Sequence, residues 1–426
     1  MQNTLPSSLR PFLLLWAGQA LSVLGGAVSY AAASMWLATI YFPLPADKPA
    51  LASALTWLSL SYALPGILAT PFAGVLADRY PRGAVMRLAD LCSGVFCGLV
   101  ALLAFADALT LPLLYLLIAL TAVSASIHGA ALWGAYVLLV PEKHLTRANA
   151  LMGSLWTGAG LVAPGLALLL LARGEGLGLA FGLDAASFFV AALTLLLVRV
   201  PPTPKRETPP EAGLWAEASA GWHFLRVRPA LLVTFLTFAA LNFAAAPLAP
   251  LEPLLVREGL AADLSGREMT VAAALALIGT VTSVGGLLGS ALMTVWGGVK
   301  RGRGWLIFGL CALSGTAQIV YGLSQSLWLT AAMMGLFVFT LPVADTHLST
   351  MLQTQIPPDL QGRVFAVRQM LAQSVSPLSI VLFGGLAGRV PAGQILAGLG
   401  VFAVIASLLP LLKQDVRQMG NEETTP

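Results

Sequence analysis

The sequence predicts an all-α polytopic membrane protein, with twelve transmembrane helices arranged as two pseudo-symmetric six-helix bundles. Three observations predict this class. Hydrophobic residues make up 58% of the 426 residues and charged residues only 10%, whereas a soluble domain is about one quarter charged. The apolar residues form long runs, and about 20 such residues suffice for a helix to cross a bilayer. The charged residues lie between these runs, and the alternation typical of a membrane β-barrel is absent.

Hydropathy predicts where each of the twelve spans lies. They run roughly over residues 11–40, 51–77, 84–106, 111–140, 148–172, 178–199, 229–256, 270–297, 304–324, 327–356, 364–388 and 392–412. The first run is too long for the core of a signal peptide, so span 1 is expected to remain as a membrane helix. The three cysteines, Cys92, Cys97 and Cys311, lie inside apolar runs and are expected to be small buried hydrophobes.

One long hydrophilic stretch separates spans 6 and 7. Its beginning, PPTPKRETPPEAG, is rich in proline and predicts an extended linker. Further on, residues at helical spacing predict a short amphipathic helix on the membrane surface. These residues are Leu214, Ala218, Trp222 and Leu225. The predicted domains are therefore a first bundle, a cytoplasmic linker, a second bundle and a tail, over residues 1–199, 200–228, 229–413 and 414–426.

The positions of lysine and arginine predict the orientation in the membrane. With the N-terminus in the cytoplasm, eighteen of the 23 Lys and Arg residues fall on the cytoplasmic side and five on the outer side. This is the bias that loops of cytoplasmic membrane proteins show. The protein is therefore expected in the inner cell membrane with both termini in the cytoplasm.

The two halves of the chain resemble each other. The stretch VPEKHLTRANAL (140–151) follows span 4, and IPPDLQGRVFAV (356–367) follows span 10. Each contains a proline followed six residues later by an arginine, so Arg147 corresponds to Arg363. The stretch GGLLGSALMTVWGGVKRGR (285–303) after span 8 is a degenerate copy of the segment around span 2, with basic residues but no acid. A duplicated six-helix unit is an architecture typical of transporters.

The segment GVLADRYPRG (74–83) resembles the loop motif of the major facilitator superfamily. The matching positions are Gly74, Asp78, Arg79 and Arg82, whereas Pro81 and Gly83 depart from the motif. The DRYPR variant is similar to the third class of drug:proton antiporters, which contains macrolide efflux proteins and siderophore exporters. The stretches LTRANAL, FGLDAASFFVAAL, GWHFLRVRP and LQGRVFAVRQ also resemble this branch.

The resemblance implies two six-helix bundles around a cavity that opens alternately to each side. Spans 1, 4, 7 and 10 would line this cavity, and spans 3, 6, 9 and 12 would face lipid. The motif loop would act as a conformational latch in which Asp78, Arg79 and Arg82 pair with neighbouring groups, with Gly74 and Asp90 as further members. The alternative is that the arginines serve only as orientation signals.

Ionisable residues inside spans are candidates for function because they are costly in lipid. His128 lies in span 4, and Asp345 and His347 lie in span 10. Aligning Pro141 with Pro357 shifts the numbering by 216, which places His128 opposite Ala344, beside Asp345. These residues are predicted to form the proton-coupling or cargo site. The alternative is that they form structural hydrogen bonds between helices.

Other residues of the spans have less specific predictions. Glu252, between prolines near the outer end of span 7, is either an outer gate or a solvated helix end. Asp184 is predicted to cap span 6. Gly26 stands where the antiporter branch often has an acid in span 1, so either coupling has moved to span 10 or transport is not proton-driven. Pro164 is predicted to kink span 5, in a segment that only loosely resembles the antiporter motif.

Polar and aromatic residues of the cavity helices are candidates for cargo contacts, with simple packing as the alternative. They are Gln19, Tyr30, Trp36, Asn242, Phe243 and Gln353. The resulting prediction is a secondary active transporter that exports amphipathic or hydrophobic small molecules, a multidrug-type efflux protein, by proton antiport. The alternatives are a lipid or lysolipid translocator, a siderophore or metabolite exporter and, from another class, a membrane receptor.

An enzyme is not predicted, because the motifs of metalloproteases, serine hydrolases and nucleotide-binding loops are absent. No cofactor, metal ion or nucleic acid is expected. The expected partners are the small-molecule cargo, protons and the lipid bilayer, and the expected state is a monomer.

Overall fold

The computed structural model describes residues 10–140, 145–198, 200, 222–299, 301–356 and 358–417. Within these ranges the chain is helical and contains no strand. The helices of the first half are α1 Arg10–Trp36, α2 Lys48–Arg79, α3 Arg82–Phe105, α4 Leu111–Leu139, α5 Leu145–Leu171 and α6 Gly176–Leu197. Those of the second half are α7 Pro229–Ala245, α8 Leu248–Gly259, α9 Ala261–Gly266, α10 Val271–Trp296, α11 Arg303–Leu323, α12 Leu327–Gln355, α13 Pro358–Leu386, α14 Ala392–Leu408 and α15 Gln414–Arg417.

The predicted fold class is confirmed. Ten helical stretches of the described chain are long and apolar enough to cross a membrane. Two shorter apolar stretches, Gly158–Leu171 and Met370–Leu386, form the later parts of α5 and α13. The ten long stretches and the two shorter ones together are consistent with twelve membrane spans.

Span 7 differs from its prediction as a single helix. It consists of α7 and α8, which are separated at Ala246 and Pro247. Proline lacks the backbone N–H that would continue the helical hydrogen bonds, so the break lies where Pro247 occurs. Span 1 continues past α1 as a short π-helical turn, Leu37–Tyr41.

The chain forms two compact units. The first comprises residues 1–205 together with 275–280, and the second comprises residues 206–274 and 281–426. Most of the predicted linker lies outside the described residues, including Leu214 and Ala218. Residues 222–226 are helical, with Leu225 buried and Trp222 exposed.

The helices of each unit pack in corresponding pairs. In the first unit α3 packs against α4 and α6, and α1 packs against α5 and α6. In the second unit α11 packs against α12 and α14, and α7 packs against α13 and α14. These are the same pairings after a shift of six spans. The internal repeat inferred from the sequence is therefore visible as a repeat of packing.

Candidate functional site

A buried ionisable contact in the first unit joins α3 to α4. Nδ1 of His128 lies 2.8 Å from Oδ1 of Asp90, and the two side chains expose only 10% and 2% of their surface. The distance suits a hydrogen bond, but the ring is not aligned for one, because His128 Nδ1 and Nε2 and Asp90 Oδ2 all lack a partner of good geometry within the described chain. The pair is therefore a buried contact with unused hydrogen-bonding capacity.

This position corrects the prediction for Asp90. The sequence placed Asp90 in the latch around Asp78, whereas the structure places its carboxylate against His128. Eight residues separate Asp90 from Arg82, which is about 12 Å along a helix. The Asp90 side chain is therefore too deep in the bundle to belong to the loop.

The pair belongs to a longer polar seam between α3 and α4. Each helix contributes polar residues at positions i, i+3 and i+7, a spacing that lies on one helix face. They are Asp90, Ser93 and Cys97 on α3, and Thr121, Ser124 and His128 on α4. At the far end of the seam, Cys97 Sγ lies 3.9 Å from Thr121 Oγ1. Both serines are buried.

A second buried acid, Asp184 of α6, meets this end of the seam. Its Oδ2 accepts hydrogen bonds from Ser29 Oγ of α1 at 2.7 Å and from Cys97 Sγ at 3.4 Å. Its Oδ1 has no hydrogen-bond partner among the described residues. The sequence prediction of a helix cap is wrong, because α6 begins at Gly176 and Asp184 lies two turns inside it. Sequence reasoning thus missed its contact with α1 and α3.

The motif loop joins α2 to α3. Asp78 lies in the last turn of α2, and its side chain lies outside the described part of the structure. Arg79 is exposed and Arg82 is partly buried. A Cβ added at Gly74 would meet nothing within 4 Å, so close packing does not require this glycine in the conformation described.

In the second unit, Asp345 forms an ion pair with Arg368. Asp345 lies on α12 with 55% of its side chain exposed, and Arg368 lies on α13. The Arg368 guanidinium carbon lies 5.8 Å from the centre of the Phe238 ring on α7, within reach of a cation–π contact. Three helices of the unit are thus joined around Asp345.

His347 has different partners from Asp345, although both residues lie on α12. The backbone N–H of Val299 donates to His347 Nε2 at 3.1 Å. The other ring nitrogen, Nδ1, lies 2.7 Å from the Val343 carbonyl oxygen. Because Nε2 accepts a hydrogen bond here, the hydrogen of the neutral ring is on Nδ1. Both nitrogens are occupied by backbone groups, which fits the structural alternative for this residue.

Glu252 is half-buried on α8. Its carboxylate faces the Tyr321 hydroxyl of α11, and Tyr321 itself is 1% exposed. The Tyr321 hydroxyl has no hydrogen-bond partner of good geometry among the described residues. A buried phenol is not the partner expected at a fully solvated helix end.

The predicted cargo-contact residues have varied surroundings. Gln19 is buried, and the rings of Tyr30 and Tyr62 lie edge to face at 4.8 Å. Trp36 contacts Tyr41. Phe243 contacts two phenylalanine rings of the second unit. The Gln353 side chain lies outside the described residues. Pro164 lies inside α5 as predicted, where it removes a backbone hydrogen bond.

A cavity of about 120 Å³ lies inside the second unit. It is bordered by α7, α11 and α12, and its polar lining includes Asn242, Ser314, Gln318 and Thr340. Phe238 and Phe337 contribute aromatic surface. Pockets for drug-sized ligands measure about 300–1,000 Å³, so this cavity has room for only part of such a molecule.

Together, the helical spans, the repeated packing and the buried ionisable groups define a multi-pass membrane protein of the transporter class. The sequence profile described as Major Facilitator Superfamily matches residues 15–380. The chain therefore belongs to the major facilitator superfamily and is a membrane transporter.

Two curated relatives carry efflux names. The chain is 25% identical to macrolide efflux protein A of Streptococcus pyogenes over 421 residues, which cover 96% of this chain and 97% of that protein. It is 31% identical to the enterobactin exporter EntS of Shigella boydii over 375 residues, which cover 85% of each chain. Among solved structures, a POT family transporter in complex with a thioalcohol-conjugated peptide has a TM-score of 0.75 at 12% identity, covering 95% of this chain and 96% of that one. This last similarity concerns the fold alone.

Proposed function

We propose that this transporter exports amphipathic or hydrophobic small molecules in exchange for protons. The observation that carries the proposal is the buried contact between Asp90 and His128. An ionisable pair inside a membrane span is costly, so its presence favours a functional role. The efflux names of the relatives support the direction of transport.

In this proposal His128 takes up and releases the transported proton. A ring nitrogen of histidine can bind and release a proton, and the Asp90 carboxylate lies 2.8 Å from Nδ1 of His128. In the second unit, the ion pair of Asp345 with Arg368 can be exchanged for contacts to cargo. Asp345 therefore links cargo binding to the charge state of its unit.

The cargo is proposed to be amphipathic because of the cavity in the second unit. Its wall combines phenylalanine rings with a few amide and hydroxyl groups, a lining typical of sites for apolar ligands with some polar atoms. The cavity is too small for a whole drug-sized molecule. We propose that it holds one apolar portion of the cargo.

A siderophore is the second candidate cargo. It is favoured by the 31% identity with the enterobactin exporter over 85% of each chain.

We propose that the protein works as a single chain in the inner membrane, in the predicted orientation with both termini in the cytoplasm. The loop between α2 and α3, with Arg79 and Arg82, lies on the predicted cytoplasmic side. Arg257 and Arg267 lie on the predicted outer side. Labelling of single cysteines placed in these loops, from either side of the membrane, tests this orientation.

The test is transport by purified protein in liposomes with an imposed pH gradient. Erythromycin, ethidium and iron-free enterobactin serve as the three cargo probes, and a trapped pH-sensitive dye reports protons. We expect Asp345→Asn and His128→Asn to slow cargo-dependent proton movement at least about tenfold, which corresponds to 1.4 kcal/mol in a rate-limiting barrier. Asp263→Asn is the matched control, because Asp263 also pairs with an arginine, Arg267, but lies in the short helix α9.

Each outcome separates the alternatives. Movement of erythromycin or ethidium with protons supports multidrug-type efflux, and movement of enterobactin alone supports the siderophore alternative. If the rate of cargo movement does not depend on the pH gradient and is unchanged in both variants, transport is not proton-driven.

A further inference from the structure

The seam between α3 and α4 is a row of polar groups, in which the Thr121 and Ser124 hydroxyls also donate to carbonyls of their own helix, those of Leu117 at 2.9 Å and Leu120 at 3.0 Å. Its two measured contacts, Asp90 with His128 and Cys97 with Thr121, lie seven residues apart on each helix. This spacing is about 10 Å along the helix axes. Ser93 and Ser124 lie between the two contacts at matching positions, and both are buried. An apolar helix pair in lipid needs no such row.

The outer end of the seam continues to Asp184. Cys97 is the link, because its thiol contacts Thr121 across the seam and also donates to Asp184 Oδ2. In the predicted orientation, Asp90 lies eight residues from the cytoplasmic start of α3, and Asp184 lies eight residues from the outer start of α6. The polar row thus connects two acids at different depths.

The surroundings of Asp184 suit a neutral carboxylic acid better than a carboxylate. The side chain is 2% exposed. The groups that face it from α1, α2 and α3 in the described chain are Ser29, Tyr62 and Cys97, and none of them is a cation. A buried charge without a partner is very costly.

The unpartnered oxygen supports the same conclusion. Oδ1 of Asp184 has no hydrogen-bond partner among the described residues. It faces α1 at Gly25, where an added Cβ would lie 2.8 Å from this oxygen. The glycine thus allows the backbone of α1 to approach the carboxyl group closely, and water has little room beside it. A proton on Asp184 removes the charge that these surroundings fail to compensate.

We propose that Asp184 is a second proton-binding site and that the α3–α4 seam carries protons between it and the Asp90–His128 pair. Each hydroxyl or thiol of the seam accepts one proton and gives up another, so it is unchanged after the transfer. With Asp184 as the neutral acid and His128 as the neutral ring, the proton leaves the Asp184 carboxyl group and ends on a ring nitrogen of His128. The return transfer runs from the protonated ring to the Asp184 carboxylate. This proposal deepens the proposed function, and the test below requires neither cargo nor transport.

The first measurement is infrared spectroscopy of the purified protein with carbon-13-labelled aspartate. We expect a C=O stretching band of a buried protonated aspartic acid in the wild type. Asp184→Asn should remove this band, whereas Asp345→Asn should leave it unchanged. Ser29→Ala should shift its frequency, because Ser29 donates the 2.7 Å hydrogen bond to the same carboxyl group.

The second measurement is hydrogen–deuterium exchange of that band after transfer to heavy water. We expect Ser93→Ala and Ser124→Ala to slow the exchange at least about tenfold, because they interrupt the seam. Ser407→Ala is the matched control, since Ser407 is a buried serine that bonds the carbonyl of its own helix at Ala403 in the second unit. The exchange rate of the Asp184 band in Ser407→Ala should equal that of the wild type.

Two results would overturn the proposal. An unchanged spectrum in folded Asp184→Asn would show that Asp184 holds no proton. If this variant does not fold, a band unaffected by Ser29→Ala leads to the same conclusion. Exchange rates that remain equal in Ser93→Ala, Ser124→Ala and Ser407→Ala would show that the seam is only structural. A loss of transport with an intact band would instead contradict the proposed function alone.

Discussion

Gly297 and Gly298 are adjacent glycines with similar backbone conformations but different surroundings. Both have positive φ angles, +71° and +82°, which residues with a side chain rarely adopt. A Cβ at Gly297 would meet nothing within 4 Å, whereas a Cβ at Gly298 would overlap the ring of His347. His347 is held in place by hydrogen bonds to Val299 and Val343. The ring therefore cannot move aside without losing a backbone partner.

This pair of glycines gives the first stability prediction. Gly297→Ala and Gly298→Ala should both destabilise the protein by about 1–2 kcal/mol, because alanine is strained at positive φ. Gly298→Ala should cost roughly 1–3 kcal/mol more through overpacking against His347. The change in unfolding temperature in detergent measures the loss of stability in each variant. In a protein that also carries His347→Ala, Gly298→Ala should cost no more stability than Gly297→Ala. If the extra cost of Gly298→Ala is the same with and without His347→Ala, the proposed contact is contradicted.

At the scale of residues, the sequence identified some important side chains but not their partners. His128 and Asp345 could be found because ionisable residues are rare in the spans. Asp90 was assigned to the wrong neighbours because chain distance does not show which helix face meets which. Asp184 was taken for a cap because the sequence did not show that its side chain meets Ser29 of α1 and Cys97 of α3. The i, i+3, i+7 spacing in both α3 and α4 was the available signal for the seam.

At the scale of helices, α11 and α14 approach each other through glycines. Gly315 and Gly322 on α11 lie against Gly400 and Gly393 on α14, so the two backbones are in direct contact. Small residues allow such close approach in membrane helices, where van der Waals packing replaces the hydrophobic effect. In the corresponding pair of the first unit, α3 and α6, Gly94 lies against the ring of Phe189 instead.

The glycine contact gives the second stability prediction. A Cβ at Gly322 would lie 2.5 Å from the Gly393 carbonyl oxygen and 2.8 Å from the Ala397 nitrogen. Backbone atoms cannot rotate away, so Gly322→Ala should destabilise by roughly 1–3 kcal/mol. Gly398→Ala is the matched control, because its Cβ would meet nothing within 4 Å, and alanine is about 1 kcal/mol better than glycine in a helix. Unfolding temperatures in detergent should fall for the first variant and stay or rise for the second. Equal behaviour of the two would refute direct backbone contact.

The sequence predicted the helices better than their contacts. Hydropathy placed most helix ends within a few residues of their described bounds, because the length of an apolar run is set by the bilayer. The largest difference is at the start of α13, which lies at Pro358 and not at the predicted residue 364. The break between α7 and α8 could have been placed at Pro247, since proline cannot continue the hydrogen bonds of a helix. The abundance of glycine predicted close packing in general. Which glycines meet depends on the relative rotation of two helices, which composition does not specify.

At the scale of the whole molecule, the two units share their packing but not their chemistry. Among the residues that the structure describes, the first unit contains two buried acids and a buried histidine, Asp90, Asp184 and His128. In the second unit, Asp345 is exposed and paired with an arginine, and His347 binds a backbone N–H. The repeat could be recognised from the sequence because prolines and arginines recur at fixed offsets. The difference in chemistry arises from substitutions at single positions within that common frame.

The motif segment 74–83 is the clearest such difference, and it gives the last prediction. Asp78 corresponds to Thr294 after the shift of 216 residues, so the second unit has no acid at this position. An acid adds nothing to the orientation signal that Arg79 and Arg82 provide. We therefore expect Asp78→Ala to leave insertion and folding unchanged but to slow transport at least about tenfold, because it removes a charged partner of the predicted latch.

Transport in liposomes measures this effect, with gel filtration of the purified variant as the check on folding. Thr294→Ala is the matched control, because the Thr294 hydroxyl bonds the carbonyl of Ser290 in its own helix and is exposed. It should transport at the wild-type rate. The double substitution of Arg79 and Arg82 by glutamine separates the two roles of the loop. If only this double variant is impaired and Asp78→Ala transports normally, the segment acts as an orientation signal and not as a latch.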